Sequence, residues 1–278
     1  MSQEEPKPYR EATEKESRMS GREVALITGA SMGIGKELAR IFAADGRDLV
    51  LVARSEDKLR SLGQELQSAH DITAHVVPAD LTDPSAPASI FSSLESKGLQ
   101  LDYLVNNAGF GAQGPFAELP LQSQLNMLKV NIDALVALTH LALQGMLARN
   151  KGRILNIASM GGFQPGPDMS MYYATKAFVL MFSEGVAEEV KDAGITVTAH
   201  CPGATATNFG ETARNATSLY FRLGTAPADK VARHAYRSMM KGKVVAIEGL
   251  MNRIAAFSVR LSPRALVRKV TRWLNQTS

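Results

Sequence analysis

The sequence predicts an α/β protein, a doubly wound parallel sheet of about seven strands in a three-layer α/β/α single domain. From Val24 onward, short β-branched runs alternate with helical stretches, which is typical of parallel strands joined by crossover helices. Runs such as 49–52 are apolar throughout, as expected for strands that are buried on both faces. The length of 278 residues suits one sizeable domain of this class.

Each element is predicted from the change between a short apolar run and a helical period. The predicted strands cover 24–28, 48–53, 74–78, 102–106, 152–158, 195–200 and 244–247. The predicted helices cover 35–44, 57–69, 85–96, a long region within 121–149, and 172–193. No repeat, low-complexity block or linker divides this core.

The composition is that of a globular protein, with 45% hydrophobic and 21% charged residues. It excludes a disordered, collagen-like or coiled-coil protein. The single cysteine, Cys201, excludes an intrachain disulfide and a cysteine metal cluster, so we expect no metal and a reducing compartment. The charged N-terminus lacks the apolar run of a signal peptide, and the uncharged stretch 134–148 is short for a membrane span. We therefore expect a cytoplasmic protein.

The net charge of +4 originates in the C-terminal segment. Positions 251–278 hold no acidic residue and these basic ones: Arg253, Arg260, Arg264, Arg268, Lys269 and Arg272. A basic excess confined to one end does not indicate a nucleic-acid-binding protein. We expect a polar tail over 1–21, the α/β domain over 22–249 and a helical extension over 250–278.

A basic amphipathic helix is predicted within this extension. Ser262 and Pro263 would be its N-cap and first helical residue. Its apolar side is formed by Leu266, Val267, Val270, Trp273 and Leu274. The simplest interpretation is a solvated basic face above a local apolar contact. The helix could also cover a cleft or a neighbouring subunit, or lie weakly on an anionic membrane surface through 262–275 as a peripheral contact.

A glycine-rich turn follows the first strand and leads into a helix. It is Thr28-Gly29-Ala30-Ser31-Met32-Gly33-Ile34-Gly35. Glycines let the backbone approach a pyrophosphate closely, and the helix N-terminus offers amide donors and a positive dipole end. Between a strand and a helix, this turn predicts dinucleotide binding by a Rossmann-like fold.

The GxxxGxG spacing resembles the shorter branch of the short-chain dehydrogenase/reductase family, and further motifs agree over 24–249. Asp80-Leu81 matches the position that contacts adenine, Asn106-Asn107-Ala108-Gly109 matches the NNAG segment, and Pro202-Gly203 with Thr207 matches PGxxxT. The resemblance implies an active site of Asn131, Ser159, Tyr172 and Lys176, with Tyr172 and Lys176 as the YxxxK pair. It also implies an NAD(P)(H)-dependent oxidoreductase acting on CH–OH and C=O groups.

The residue types suit hydride transfer to a carbonyl, which leaves an alkoxide that needs a proton. Tyr172 and Lys176 share one helix face, and the ammonium would lower the tyrosine pKa from its usual value of ~10. Ser159 would orient the substrate oxygen. The resemblance adds that Lys176 holds the nicotinamide ribose and that Asn131 holds a water in a proton relay.

Several of these residues also suit structural roles. Ser159 could cap a strand end, and Asn131 could satisfy a polar group inside a helix. Thr207 could bond the nicotinamide carboxamide or cap the following helix. Tyr173 has Ala177 as its partner four residues on, so we assign it to packing or to the pocket wall.

The residues after the second strand favour NADP(H) over NAD(H). An NAD site normally has a carboxylate there for the ribose hydroxyls, whereas this chain has Ala53 and Arg54. Arg54 could pair with a 2′-phosphate, with Ser31 as a second partner, or be an ordinary surface arginine. Met32 occupies a position where the family often has a basic residue.

Apolar side chains near these motifs predict a cleft for a small apolar carbonyl or alcohol substrate: Phe110, Met160, Phe163, Met169, Met171, Phe209, Leu219, Tyr220 and Phe221. We expect an NADPH-dependent reductase of a ketone or 3-oxoacyl substrate. The alternatives are an alcohol or hydroxysteroid dehydrogenase working oxidatively, a dinucleotide-sensing protein without turnover, and a membrane-tethered scaffold. The family implies a homo-oligomer, and the extension favours a dimer over a tetramer.

Overall fold

The computed structural model describes residues 21–207, 209–213, 215, 217–222 and 224–276, so nearly all of the predicted N-terminal tail lies outside the described residues. The strands are β1 (Val24–Thr28), β2 (Asp48–Ala53), β3 (Ala74–Pro78), β4 (Leu101–Asn106), β5 (Gly152–Ile157), β6 (Ile195–Cys201), β7 (Thr205–Ala206), β8 (Ala226–Pro227) and β9 (Val245–Ile247). The helices are α1 (Gly33–Ala44), α2 (Glu56–Ala69), α3 (Ala86–Ser96), α4 (Leu121–Arg149), α5 (Ser170–Val190), α6 (Phe209–Ala213), α7 (Leu219–Arg222), α8 (Ala228–Met240), α9 (Leu250–Leu261) and α10 (Arg264–Asn275).

Seven strands form one parallel sheet in the order β3-β2-β1-β4-β5-β6-β9, which confirms the predicted doubly wound fold. From β1 the chain first builds outward through β2 to β3, and then crosses back to place β4 on the other side of β1. This reversal leaves a crevice at the carboxyl ends of β1 and β4, the place where ligands bind in open α/β sheets. The short strands β7 and β8 pair with each other outside the main sheet.

Helices cover both faces of the sheet, and each face has its own apolar core. Successive residues of a strand point to opposite faces, so Leu26 and Ile27 of β1 enter different cores, and both are fully buried. Leu26 packs among residues of α3, α4 and α5, whereas Ile27 packs among residues of α1, α2 and α8. Burying one such side chain stabilises the fold by about 1.5–3 kcal/mol, so both layers contribute.

The helix α4 is continuous over 29 residues and is long and apolar enough to cross a membrane by length and composition alone. In the fold it packs on β4, β5 and α3 as a core helix. A π-helical turn at Lys129–Asp133 interrupts its regular hydrogen bonding. Such turns are frequent at functional sites, and this one contains the predicted site residue Asn131.

The C-terminal extension forms two helices, α9 and α10, where the sequence predicted one. The predicted N-cap is also wrong, because Pro263 occupies that position and α10 begins at Arg264. The hydroxyl of Ser262 instead donates to the Ser258 carbonyl at 2.8 Å and so satisfies the end of α9. The other predicted boundaries agree with the observed ones or differ by at most three residues.

Candidate active site

One cavity of about 1070 Å³ runs along the carboxyl ends of the central strands. Its wall contains residues from every predicted motif: Gly29, Ser31, Gly33, Ile34, Arg54, Asp80, Leu81, Asn107, Ala108, Gly109, Ser159, Tyr172, Lys176, Pro202, Gly203 and Thr207. Gly35 and Asn131 are not part of this wall and lie directly behind it. The fold therefore gathers motifs from the ends of six strands, β1 to β6, around one space.

The glycine turn is packed tightly between β1 and the segment that follows β4. Gly29 has a φ of +66°, and a Cβ there would lie 2.8 Å from Nδ2 of Asn107. A Cβ at Gly35 would lie 2.3 Å from the Gly29 carbonyl oxygen. Both positions require glycine, and they bring the N-terminus of α1 at Gly33 to the cavity wall. The first amides of a helix have no intrahelical acceptor, so this turn fits a pyrophosphate.

Thr28 fastens the glycine turn to the segment after β4, a role that the sequence analysis missed. Its Oγ1 accepts hydrogen bonds from the backbone amides of Asn107 and Ala108, each at 3.0 Å. In return, Nδ2 of Asn107 donates to the Thr28 carbonyl at 2.9 Å. The sequence signal for this role was a residue with a hydroxyl group at the last position of β1, because that strand end lies beside the segment that follows β4.

Beside the glycine turn, the cavity wall combines Arg54, Ser31 and Asp80. Oδ1 of Asp80 accepts hydrogen bonds from the amide and the hydroxyl of Thr82, each at 3.0 Å. The bond from the Thr82 amide is the main cause that lowers the pKa of Asp80, and nearby Arg54 adds to it. Ala53 ends β2 where an NAD site would have a carboxylate, and Arg54 and Ser31 offer a guanidinium and a hydroxyl near the Asp80 carboxylate.

Ser159, Tyr172 and Lys176 meet in the middle of the cavity wall. Nζ of Lys176 lies 5.9 Å from the centre of the Tyr172 ring and donates to the Ile157 carbonyl at 2.6 Å. The Ser159 hydroxyl lies near the Tyr172 hydroxyl and acts to lower its pKa. Oγ of Ser159 also accepts from the Gly161 amide at 3.0 Å. Ser159 therefore caps the turn that follows β5 and also borders the cavity, as its two predicted roles require.

Burial controls the protonation of Tyr172 and Lys176. It raises the pKa of Tyr172, against the hydrogen bond from Ser159, which lowers it. It also lowers the pKa of Lys176, which is 5% exposed, to about 8. This corrects the prediction of a lowered tyrosine pKa, because the loss of hydration disfavours the phenolate more than its surroundings stabilise it.

Asn131 holds the segment after β4 against α5 rather than forming the cavity wall. Its Oδ1 accepts from the Phe110 amide at 3.1 Å, and its Nδ2 donates to the Phe110 carbonyl at 3.0 Å. The same Nδ2 donates to Oγ1 of Thr175 at 3.0 Å. Thr175 lies between Tyr172 and Lys176 in sequence, and this position inside the YxxxK motif was the only signal for its role.

Thr207 caps the next helix, since its Oγ1 accepts from the Phe209 amide at 3.2 Å. Thr207 also belongs to the cavity wall, so the two predicted roles are compatible in position. The prediction for Tyr173 agrees with its place, because its ring is buried and borders the cavity.

The helix α10 covers the apolar end of the cavity and is held there by Asn275, which the sequence analysis missed. Oδ1 of Asn275 accepts from the Tyr173 hydroxyl at 3.0 Å, and its Nδ2 donates to the Pro167 carbonyl at 2.9 Å. Its backbone carbonyl accepts from Nε2 of Gln113. The structure therefore shows this helix covering the cleft, one of the arrangements that the sequence allowed.

Six of the nine apolar residues predicted for the cleft are found in its wall: Phe110, Met160, Met169, Phe209, Tyr220 and Phe221. Phe163, Met171 and Leu219 are not part of it. Phe163 instead packs against the core beneath β6. The α10 side chains Leu266, Val267, Val270 and Leu274 complete the apolar end.

Comparison with known proteins agrees with this geometry. The family model described as short chain dehydrogenase matches residues 23–218. This chain belongs to that family. A very-long-chain 3-oxoacyl-CoA reductase of Bos taurus is 36% identical over 196 residues, which are 69% of this chain and 62% of that protein. The reductase of the same name from Homo sapiens is 34% identical over 68% of this chain and 61% of its own length. The chain thus spans less than two thirds of these relatives.

Solved structures of the family cover the chain more fully. A short-chain dehydrogenase from Sphingobium yanoikuyae in complex with NADPH has a TM-score of 0.77 and 33% identity, over 86% of this chain and 93% of that one. A structure of a bulky-bulky ketone specific alcohol dehydrogenase from Comamonas testosteroni has a TM-score of 0.74 and 30% identity, over 87% and 93%. A 7beta-hydroxysteroid dehydrogenase structure has a TM-score of 0.80 and 25% identity, over 90% and 96%. These short chain dehydrogenases share the Rossmann-like fold described above.

Proposed function

We propose that this short chain dehydrogenase is an NADPH-dependent reductase of an apolar ketone or 3-oxoacyl thioester. One observation carries the proposal. Ser159, Tyr172 and Lys176 lie in a single cavity between the glycine turn on one side and the apolar wall under α10 on the other. A cavity of about 1070 Å³ exceeds the usual ~300–1,000 Å³ of a site for one small ligand, which supports room for a dinucleotide and a substrate together.

The glycine turn and the end of β2 fit NADPH. Gly29, Gly33 and Ile34 would hold the pyrophosphate at the start of α1, and Arg54 with Ser31 would pair with the 2′-phosphate. The adenine would lie by Asp80-Leu81, and the nicotinamide end by Asn107-Ala108-Gly109 and Pro202-Gly203 with Thr207. The bound cofactor supplies the hydride. A solved relative that holds NADPH supports this choice.

The side chains then direct the proton. Ser159 orients the substrate carbonyl oxygen by hydrogen bonding, and the Tyr172 hydroxyl donates a proton to that oxygen as it becomes an alkoxide. Because burial raises the pKa of Tyr172, the hydroxyl is protonated at neutral pH, as the reductive direction requires. The Lys176 ammonium, below its pKa of about 8, stabilises the phenolate that forms and holds the ribose. Asn131 would support the relay that reprotonates Tyr172.

The substrate follows from the apolar wall and from the names of relatives. Aromatic, methionine and aliphatic side chains line the end beneath α10, and a long acyl chain or a bulky ketone would bury apolar surface there. Curated relatives are very-long-chain 3-oxoacyl-CoA reductases, which favours a 3-oxoacyl thioester. The likeness to a hydroxysteroid dehydrogenase supports a second candidate, oxidation of a bulky alcohol at the same residues.

The test is turnover of NADPH with a long-chain 3-oxoacyl thioester and with bulky ketones, and of NADP⁺ with the matching alcohols. Tyr172→Phe should lower kcat by about 10²–10⁴-fold, since one positioned proton donor contributes this much, while cofactor binding is unchanged. Tyr173→Phe is the matched control and should keep its catalysis. Full activity of Tyr172→Phe, or cofactor binding without turnover of any of these substrates by the native protein, would reject the proposal.

A further inference from the structure

The two C-terminal helices present a set of exposed apolar side chains, which we call the apolar rim. On α9 these side chains are 53–76% exposed: Leu250, Met251, Ile254, Phe257 and Leu261. On α10 they are 45–57% exposed: Leu266, Val270 and Trp273. The recurrence at three, four and seven residues places each set on one side of its helix. Soluble monomers rarely expose contiguous apolar patches of this kind.

The apolar rim lies at the mouth of the cavity. The neighbouring side of α9, formed by Ala255, Ser258, Val259 and Ser262, belongs to the cavity wall. Leu266 and Val270 of α10 belong to both the wall and the rim. The apolar interior of the cleft therefore continues directly into an exposed apolar surface.

Positive charge accompanies this surface. Arg253 and Arg260 lie along one edge of the α9 set, and positions 251–278 contain no acidic residue. On α10, Lys269 lies beside the exposed apolar side chains, three residues from Leu266 and four from Trp273. Arg264 and Arg268 lie on another side of this helix, and Arg272 pairs with Asp168 at 3.9 Å. An apolar stripe flanked by arginine and lysine, with a tryptophan at its border, is typical of helices that lie in a membrane interface. Each basic residue near an anionic lipid surface is attracted to it.

We propose that the apolar rim docks this protein on an anionic phospholipid bilayer, with α9 and α10 in the interface and the cavity mouth facing the lipid. The charge favours lipid over a second copy of the chain, because two copies meeting at this surface would bring their basic residues together. Docking of this kind does not depend on the proposed reaction, so it can fail or succeed independently of it.

Trp273 is the single tryptophan of the chain and a natural probe for the experiment. The full-length protein is mixed with phosphatidylcholine vesicles, with or without phosphatidylglycerol, and followed by sedimentation and tryptophan emission. We expect co-sedimentation and a blue shift with the anionic vesicles only. Binding should weaken as salt rises, because surface charges are screened over ~10 Å at 0.1 M.

Two sets of variants separate the apolar and the charged contributions. Phe257→Glu with Leu261→Glu should abolish binding, and both side chains are more than half exposed, so the fold tolerates them. Arg260→Glu with Lys269→Glu should weaken binding by about fivefold or more per residue, and both positions are exposed. The control is Leu147→Glu, which places the same charge at another exposed apolar position. Leu147 is near Arg149, and the guanidinium of Arg149 donates to the Leu101 carbonyl at the amino end of β4. This end of the sheet is away from the cavity.

Several results would overturn the proposal. They are a native protein that stays in the supernatant with anionic vesicles at low salt, equal binding to neutral vesicles, or equal loss of binding in Leu147→Glu. A dimer in sedimentation velocity that Phe257→Glu converts to monomer, with no vesicle binding, would make the apolar rim a contact between two copies instead.

Discussion

Replacing Asn275 by leucine tests whether the C-terminal helix is held over the cleft by its buried end. Leucine has a similar volume but cannot bond the Tyr173 hydroxyl or the Pro167 carbonyl, which Asn275 contacts at 3.0 and 2.9 Å. Asn275 is only 3% exposed, so both partners would be left unpaired in a largely dry place. The helix α10 should then detach more often while the sheet stays folded.

The magnitude follows from the two lost hydrogen bonds. Leaving one buried polar group unsatisfied costs about 1–3 kcal/mol, so two groups give about 2–6 kcal/mol as an upper range. Water that enters the opened cleft reduces this cost toward its lower end. The better helix propensity of leucine returns only a few tenths of a kcal/mol. A net loss of about 2 kcal/mol makes opening of α10 roughly 30-fold more frequent.

Hydrogen exchange measures this opening directly. The amides of α10 in Asn275→Leu should exchange about 30-fold faster, whereas those of β1 and β4 should not change. The KM for an apolar substrate should rise more than kcat falls. Tyr173→Phe is the matched control, because it removes one partner and leaves the Pro167 bond in place. Unchanged exchange along α10 would refute the view that Asn275 holds this helix.

Three further predictions follow from local geometry and burial. Gly35→Ala should abolish dinucleotide binding measured by calorimetry, because its Cβ would lie 2.3 Å from the Gly29 carbonyl oxygen of the same turn. Gly185→Ala is the control and should bind normally, because its Cβ would meet no atom within 4 Å. Because burial lowers the pKa of Lys176 to about 8, the kcat/KM for reduction should be level below this pH and should fall above it as the ammonium is lost; a flat profile would contradict this. Burial lowers the pKa of His200 to about 3, so the unfolded chain binds a proton from pH ~6.5 downward while the folded one does not. Its contribution to the free energy of unfolding is present above that pH and is lost as pH falls, by about 1.4 kcal/mol per unit. Denaturant unfolding at several pH values should show a shallower loss in His200→Gln.

The strands were the most predictable part of the fold because each is a compact local run. β1, β2 and β3 have the predicted bounds, since β-branched residues between polar turns show their limits directly. The helix α9 was missed because apolar residues occur on two of its sides, one facing the cavity and the other exposed to solvent. Its sequence therefore lacks the single apolar face by which an amphipathic helix is usually predicted. The strand order depends on how the crossovers turn, which local pattern does not show.

The cavity wall was predictable for the same reason, as its motifs are short and follow strand ends. Contacts between distant positions were not. Tyr173 and Asn275 are 102 residues apart, and an asparagine near the chain end carries no sign of such a partner. The direction of the Tyr172 pKa also escaped prediction, because a sequence shows the nearby lysine but not the desolvation that acts against it.

The central claim is that the cleft is a site for NADPH, and a titration with NADPH and NADH tests it most directly. Nicotinamide fluorescence of the native protein should show tight NADPH binding and weaker NADH binding. Arg54→Ala should weaken NADPH binding by about ten- to a hundredfold, because a hydrogen bond to a charged group contributes about 1.5–3 kcal/mol, and should leave NADH binding unchanged. Equal binding of both dinucleotides would contradict the role of Arg54, and binding of neither would contradict the account of the whole site.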